Sequence, residues 1–93
     1  MLTENEAFLE ELFKGCRKTM RVLRLFIQNP YEAYTKYRVE KEALVYDSEI
    51  ILERLVKLGI LKVVNKDPKL YKLVNDLSIV KALKAFFRET GYI

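Results

Sequence analysis

Chemistry at neutral pH needs groups that titrate, attack or ligate, and this chain has few. It contains no His and one Cys, Cys16, so neither a zinc site nor a Cys–His pair can be assembled. No carboxylate pair, nucleophile–base set or glycine-rich phosphate loop stands out in the 93 residues. No enzymatic activity, cofactor or metal is therefore expected. What remains is charge and its placement. The net charge is +4, yet residues 1–13 carry four acids and no base, and residues 14–28 carry five bases and no acid. Residues 61–75 hold four lysines against Asp67. Positive charge is thus gathered on 14–28 and 61–75, and each is a candidate surface for phosphate.

The length suits one small domain, and a hydrophobic fraction of 51% is too high for a disordered tail. No apolar run approaches the roughly 18 residues of a membrane span. The N-terminus lacks a basic stretch followed by an apolar one, so no secretory leader is expected. A single cysteine excludes an intrachain disulfide and fits a reducing cytosol, so a cytoplasmic location is expected. Lys and Glu are abundant, a bias associated with hyperthermophiles.

The elements that must position these charges follow from periodicity. Thr3 with Glu6 fits a capping box, and apolar residues keep helical spacing from there to Gln28. Phe8, Leu9, Leu12, Phe13, Cys16, Met20, Leu23, Phe26 and Ile27 form one face. Lys14, Arg17, Lys18, Arg21 and Arg24 form the other, with Val22 and Leu25 off the stripe. The stripe keeps phase across Gly15, which predicts one long helix or two nearly collinear ones, stopped at Asn29-Pro30. A very short strand is expected near Ala33–Thr35, then a short helix over Tyr37–Leu44 with Val39, Ala43 and Leu44 inward. A helix over Asp47–Leu58 follows, capped by Asp47 or Ser48, with Ile51, Leu52, Leu55, Val56 and Leu58 inward. Gly59 stops it. Two strands, Leu61–Asn65 and Leu70–Val74, flank the turn Lys66-Asp67-Pro68-Lys69. A last helix, Ser78–Glu89, points Val80, Leu83, Phe86 and Phe87 inward and ends at Gly91, ahead of an apolar Tyr92-Ile93 tail.

Helix, glycine stop, hairpin is the order of a winged helix. Residues 17–75 resemble the winged helix-turn-helix domain of ArsR- and MarR-like regulators, especially small archaeal ones. Ile51-Leu52-Glu53-Arg54-Leu55-Val56-Lys57-Leu58-Gly59-Ile60-Leu61 is similar to a recognition helix entering the first wing strand. Tyr71-Lys72-Leu73 is similar to the second wing strand, and Asn75–Leu83 to the helix after the wing. Leu44-Val45-Tyr46-Asp47 replaces the tight Gly-Val-Ser turn common in such chains, and no metal-sensing Cys or His set is present. The expected fold is mainly α with a small β-hairpin wing. It would form a single domain with an N-terminal helical extension (1–16), a core (17–75) and a C-terminal helix (76–93).

The resemblance implies a sequence-specific duplex DNA-binding transcription regulator. Its recognition helix would enter the major groove, and its wing would lie on the backbone or in the minor groove. Carried over, Tyr46, Ser48, Glu49, Ile50, Glu53 and Lys57 would face bases. Lys62, Lys66, Lys69 and Lys72 would meet phosphates, with Lys36, Arg38 and Arg54 adding backbone contacts. The apolar excess of Phe8, Leu9, Leu12, Phe13, Cys16, Phe86, Phe87 and Tyr92 points to a homodimer built on the first and last helices. Two Cys16 thiols at such a twofold could approach each other. The carboxylates Asp47, Glu49 and Glu53 keep open a different class: a winged-helix module that binds a partner protein through the Glu49, Ile50 and Glu53 face, without reading DNA.

Overall fold

The computed structural model describes residues 14–93. The expected helical run from Thr3, and the dimer residues Phe8, Leu9, Leu12 and Phe13, lie outside the described residues. A 3-10 turn, Lys14–Cys16, leads into helix α1, Arg17–Gln28. The turn contains Gly15, and glycine weakens a continuous helix at that point. Val22 and Leu25, expected off the stripe, are buried together with Leu23, Phe26 and Ile27. The reason is that α1 packs on more than one neighbour, so its buried arc is wider than a single stripe. Asn29 ends the helix. Its backbone N–H and its side-chain Nδ2 both donate to the carbonyl of Leu25, at 3.2 and 3.1 Å.

Strand β1, Ala33–Tyr34, lies where a short strand was expected. Tyr34 drops its ring into the core, edge-on to Phe26 at 5.3 Å between centroids. Thr35 caps helix α2, Lys36–Ala43, by accepting the Arg38 N–H on its hydroxyl oxygen at 3.2 Å. Helix α3 then covers Glu49–Lys57, inside the expected limits. Leu58 was expected inward but is exposed. The chain leaves the helix there, Gly59 turns it at φ 82°, and Ile60 is buried instead.

Strands β2, Leu61–Lys66, and β3, Lys69–Leu73, form the hairpin, each reaching one residue further toward the tip than expected. Asn65 Nδ2 closes that tip by donating to the carbonyl of Pro68 at 2.7 Å. β1 pairs antiparallel with β3, giving a three-stranded sheet in the order β1-β3-β2. Helix α4, Ser78–Thr90, completes four α-helices among the described residues. Gly91 stops it at φ 75°, and the chain folds back. Tyr92, expected as an apolar tail, donates its N–H to Phe87 O at 2.8 Å and packs its ring 5.1 Å from that of Phe87. Asn75 joins three segments. Its Nδ2 donates to Pro30 O at 2.8 Å, and its Oδ1 accepts from Lys84 Nζ at 2.7 Å.

The link between α2 and α3 is unusual. Leu44 and Asp47 have φ of 57° and 51°, the left-handed region that disfavours residues with a Cβ. Leu44 is also 76% exposed, so burial does not offset its strain. Leu44→Gly is therefore expected to raise stability by roughly 0.5–1 kcal/mol. An unchanged or lower denaturation midpoint in that variant would count against a strained turn.

Candidate functional site

The hairpin gathers four lysines that have no salt-bridge partner among the described residues. In the observed register Lys62 faces Lys72, and Lys66 faces Lys69. Like charges placed directly opposite each other across strands cost folding free energy. Among the described residues no carboxylate forms a salt bridge with any of the four. Residues two apart share a face of a strand. Lys69 therefore lies on the side of Tyr71, with its Nζ 5.6 Å from that ring centroid, and Lys62 and Lys72 lie on the other side. Alternation along β3 already separates Lys69 from Lys72, and the irregularity between Val63 and Asn65 shifts the register by one residue so that Lys66 joins Lys69 rather than the face of Lys62. The sequence alternation alone separates only Lys62 and Lys72 from the core side. Lys72 also pairs with Ala33, so a row Ala33–Lys72–Lys62 crosses all three strands.

Helix α3 precedes this hairpin and presents Glu49, Ile50, Glu53, Arg54 and Lys57 to solvent. Ile50 is 68% exposed, and Tyr46, just before the helix, is 81% exposed. A large aliphatic and an aromatic side chain left in water beside charged groups form an adhesive surface. Glu49 is partly committed, since its Oε2 lies 3.9 Å from Lys36 Nζ.

Two expected contact residues are placed elsewhere. Ser48 was expected to face bases, but it is fully buried, with 0% exposure. Its backbone N–H and its hydroxyl both donate to Glu40 Oε2, at 2.8 and 3.0 Å. Ser48 precedes α3 but makes no side-chain cap, and Asp47 sits in the left-handed region. Glu40, from the preceding helix, supplies the acceptor instead. The Ser48 backbone hydrogen bond, supported by its hydroxyl and by Lys36, holds the Glu40 carboxyl below its usual range, against the opposite pull of burial. The Glu40 backbone carbonyl also accepts from the N–H groups of Leu44 and Val45, so one residue anchors the whole strained link.

Arg38, expected to add a phosphate contact, is held within the protein. Its Nε donates to Glu42 Oε2 at 2.9 Å and its Nη1 to Glu32 Oε1 at 3.3 Å, and its guanidinium lies 4.6 Å over the Tyr34 ring. The hydrogen bond to Glu42 leads in raising its pKa. Two carboxylates neutralise the charge that a phosphate contact would use.

The expected dimer residues also divide. Phe87 and Tyr92 are buried in the protomer's own core, because the chain folds back after Gly91. Cys16 and Phe86 are exposed, and Phe86 shares an outer edge of α4 with the exposed Ile79. Sequence reasoning missed Glu40, whose role depends on a contact eight residues along the chain that no periodicity signals. It also missed Leu44 as an outward residue, because an apolar side chain at a helix end ordinarily reads as core.

No family model, curated protein or solved structure matches this chain. Among the described residues no helix is long and apolar enough to cross a membrane.

Proposed function

We propose that this protein is a cytoplasmic, homodimeric transcription regulator of the winged-helix type that binds duplex DNA sequence-specifically. Helix α3 enters the major groove, and the β2–β3 hairpin lies on the backbone or in the minor groove. The observation that carries the reading is the hairpin's four lysines, opposed in pairs and, among the described residues, without carboxylate partners. Their mutual repulsion is relieved when phosphates replace water around them. With one lysine pair on each face, the ribbon can meet phosphates on both walls of a groove. Ile50 and Tyr46 supply apolar contacts suited to a thymine methyl, and Glu53 can accept from cytosine N4. Lys57 and Arg54 add positive charge toward the C-terminal end of α3. In a dimer the two α3 helices would meet half-sites about 34 Å apart.

The test is duplex binding followed over a range of salt. Affinity for a selected duplex should fall steeply, because each bound lysine releases counterions. Protein that shifts no duplex at low salt, from a random pool or otherwise, rules the reading out.

One observation favours a second reading, a module that binds another protein. Tyr46 and Ile50 are exposed beside Asp47, Glu49 and Glu53, a mixture that suits an apolar patch with a basic rim. On that reading charge reversal at Lys66 and Lys69 leaves function intact, whereas Ile50→Asp abolishes it.

A further inference from the structure

A concave surface lies between the first turn of α1 and the side of α3. It is a cleft of about 480 Å³ to which Cys16 contributes from the 3-10 turn, Lys18 and Thr19 from the start of α1, and Ile51 and Arg54 from α3. Arg17 lines it too, and among the described residues no carboxylate does. Its composition follows from how charge is sorted around α3. At 100° per residue, Glu49 and Glu53 fall to one side of the outward Ile50–Lys57 line, and Arg54 falls to the other. The Lys36–Glu49 contact fixes the acidic side toward α2. The basic side then faces α1, and Lys18 and Arg54 line the same cleft.

We infer that this cleft binds a phosphate group, with Lys18 and Arg54 as its principal ligands. Both side chains are exposed, and among the described residues neither has a salt-bridge partner. Two cations that line one concave surface, with no carboxylate lining it among the described residues, focus a positive potential there. The Arg54 guanidinium can meet two phosphate oxygens at once, and Lys18 provides a point charge beside it. Thr19 adds a hydroxyl donor within the same cleft. The phosphate could belong to the backbone of the duplex held by the hairpin or to a free phosphorylated molecule. The first source rests on the DNA-binding reading, and the second does not.

Two titrations separate these sources, each run on the full chain and on a Lys18→Ala/Arg54→Ala double variant. Because both residues are exposed, the variant should melt within a degree or two of the parent, which serves as the folding control. In the first, inorganic phosphate is added and backbone amides are followed by NMR. Shifts at residues 16–19 and at Arg54 are expected, and they should vanish in the variant. In the second, duplex affinity is measured against salt. A logarithmic slope reduced by nearly two, about 0.9 for each lost contact, supports the duplex backbone as the source. An unchanged slope with lost phosphate shifts supports a free phosphorylated ligand. No phosphate shifts together with an unchanged slope overturns the proposal. If the parent binds no duplex at all, the DNA reading fails separately, and the phosphate titration alone decides the cleft.

Discussion

Replacing Lys62, Lys66, Lys69 and Lys72 by alanine is expected to cripple duplex binding while leaving the fold as stable as before, or more so. Each phosphate contact contributes a logarithmic salt slope of about 0.9 for B-DNA. Losing four removes a slope of about 3.6, so between 50 and 200 mM salt the parent loses roughly 150-fold more affinity than the variant. The stability effect has the opposite sign. Lys62 opposes Lys72 and Lys66 opposes Lys69, and removing like charges from facing positions relieves repulsion worth a few tenths of a kcal/mol per pair. A structural role for the lysines would lower the melting temperature and the affinity together. A DNA-binding role separates them. Single variants add a finer test. Lys62 and Lys66 lie on opposite faces of the ribbon, so loss of either alone should reduce the slope by a similar increment if the hairpin touches two phosphate walls. If only one face touches DNA, one of the two variants will bind like the parent.

Replacing Glu40 by alanine is expected to lower stability by about 3 kcal/mol. The carboxylate accepts the backbone N–H and the hydroxyl of fully buried Ser48, and hydrogen bonds to a charged group contribute about 1.5–3 kcal/mol each. Without Glu40 both donors stay buried without an acceptor. For a domain of this size each kcal/mol moves the melting temperature by about 4–8 °C, so a fall of roughly 12 °C or more should appear in a thermal scan. Ser48→Ala removes only the hydroxyl bond and should cost about 1 kcal/mol. A Glu40→Ala effect no larger than that of Ser48→Ala would refute the anchoring role.

The same contact sets an acid limb. Ser48 holds the folded-state pKa of Glu40 below the unfolded value, so the ionised carboxylate is the form that stabilises the fold. That contribution is complete above the ordinary Glu range, and it is lost as the pH falls through that range and below the folded-state value. In Glu40→Gln the corresponding part of the pH dependence should disappear, and the parent and variant stability curves should converge at low pH. Because Glu40 also holds the Leu44–Asp47 link and the start of α3, the variant should bind duplex more weakly than its stability loss alone explains. The hairpin-lysine variant keeps Glu40 and Ser48 and should show the same acid limb as the parent.

Much of the architecture was readable from local signals. Apolar spacing placed α2, α3 and α4 within one or two residues, because helical periodicity and its stop signals act over short distances. Gly59 and Gly91 both take positive φ and end their helices where expected, since residues without a Cβ reach that region at little cost. The Asp67-Pro68 turn located the hairpin, and alternation placed Leu61, Tyr71 and Leu73 on its core side, whereas Val63, expected on that side with them, is exposed. The concentration of lysine on that hairpin needed no structure at all.

Tertiary structure alone decided which charges are available and which are already used. Arg38 and Lys66 look equally free along the chain, yet Arg38 is held by Glu32 and Glu42 while Lys66 faces another lysine. Ser48 has the residue type of a base-contacting hydroxyl, but Glu40 draws it into the interior. Phe87 and Tyr92 looked like surplus apolar surface for a partner until the turn at Gly91 packed one on the other. The shift between Val63 and Asn65, which moves Lys66 off the face of Lys62 and opposite Lys69, exists only in the pairing of two strands. Periodicity and turn chemistry are properties of neighbouring residues, so the sequence determined the elements and the basic hairpin. Partners across the fold are chosen by packing, and packing settled which of those residues remain free to meet something else.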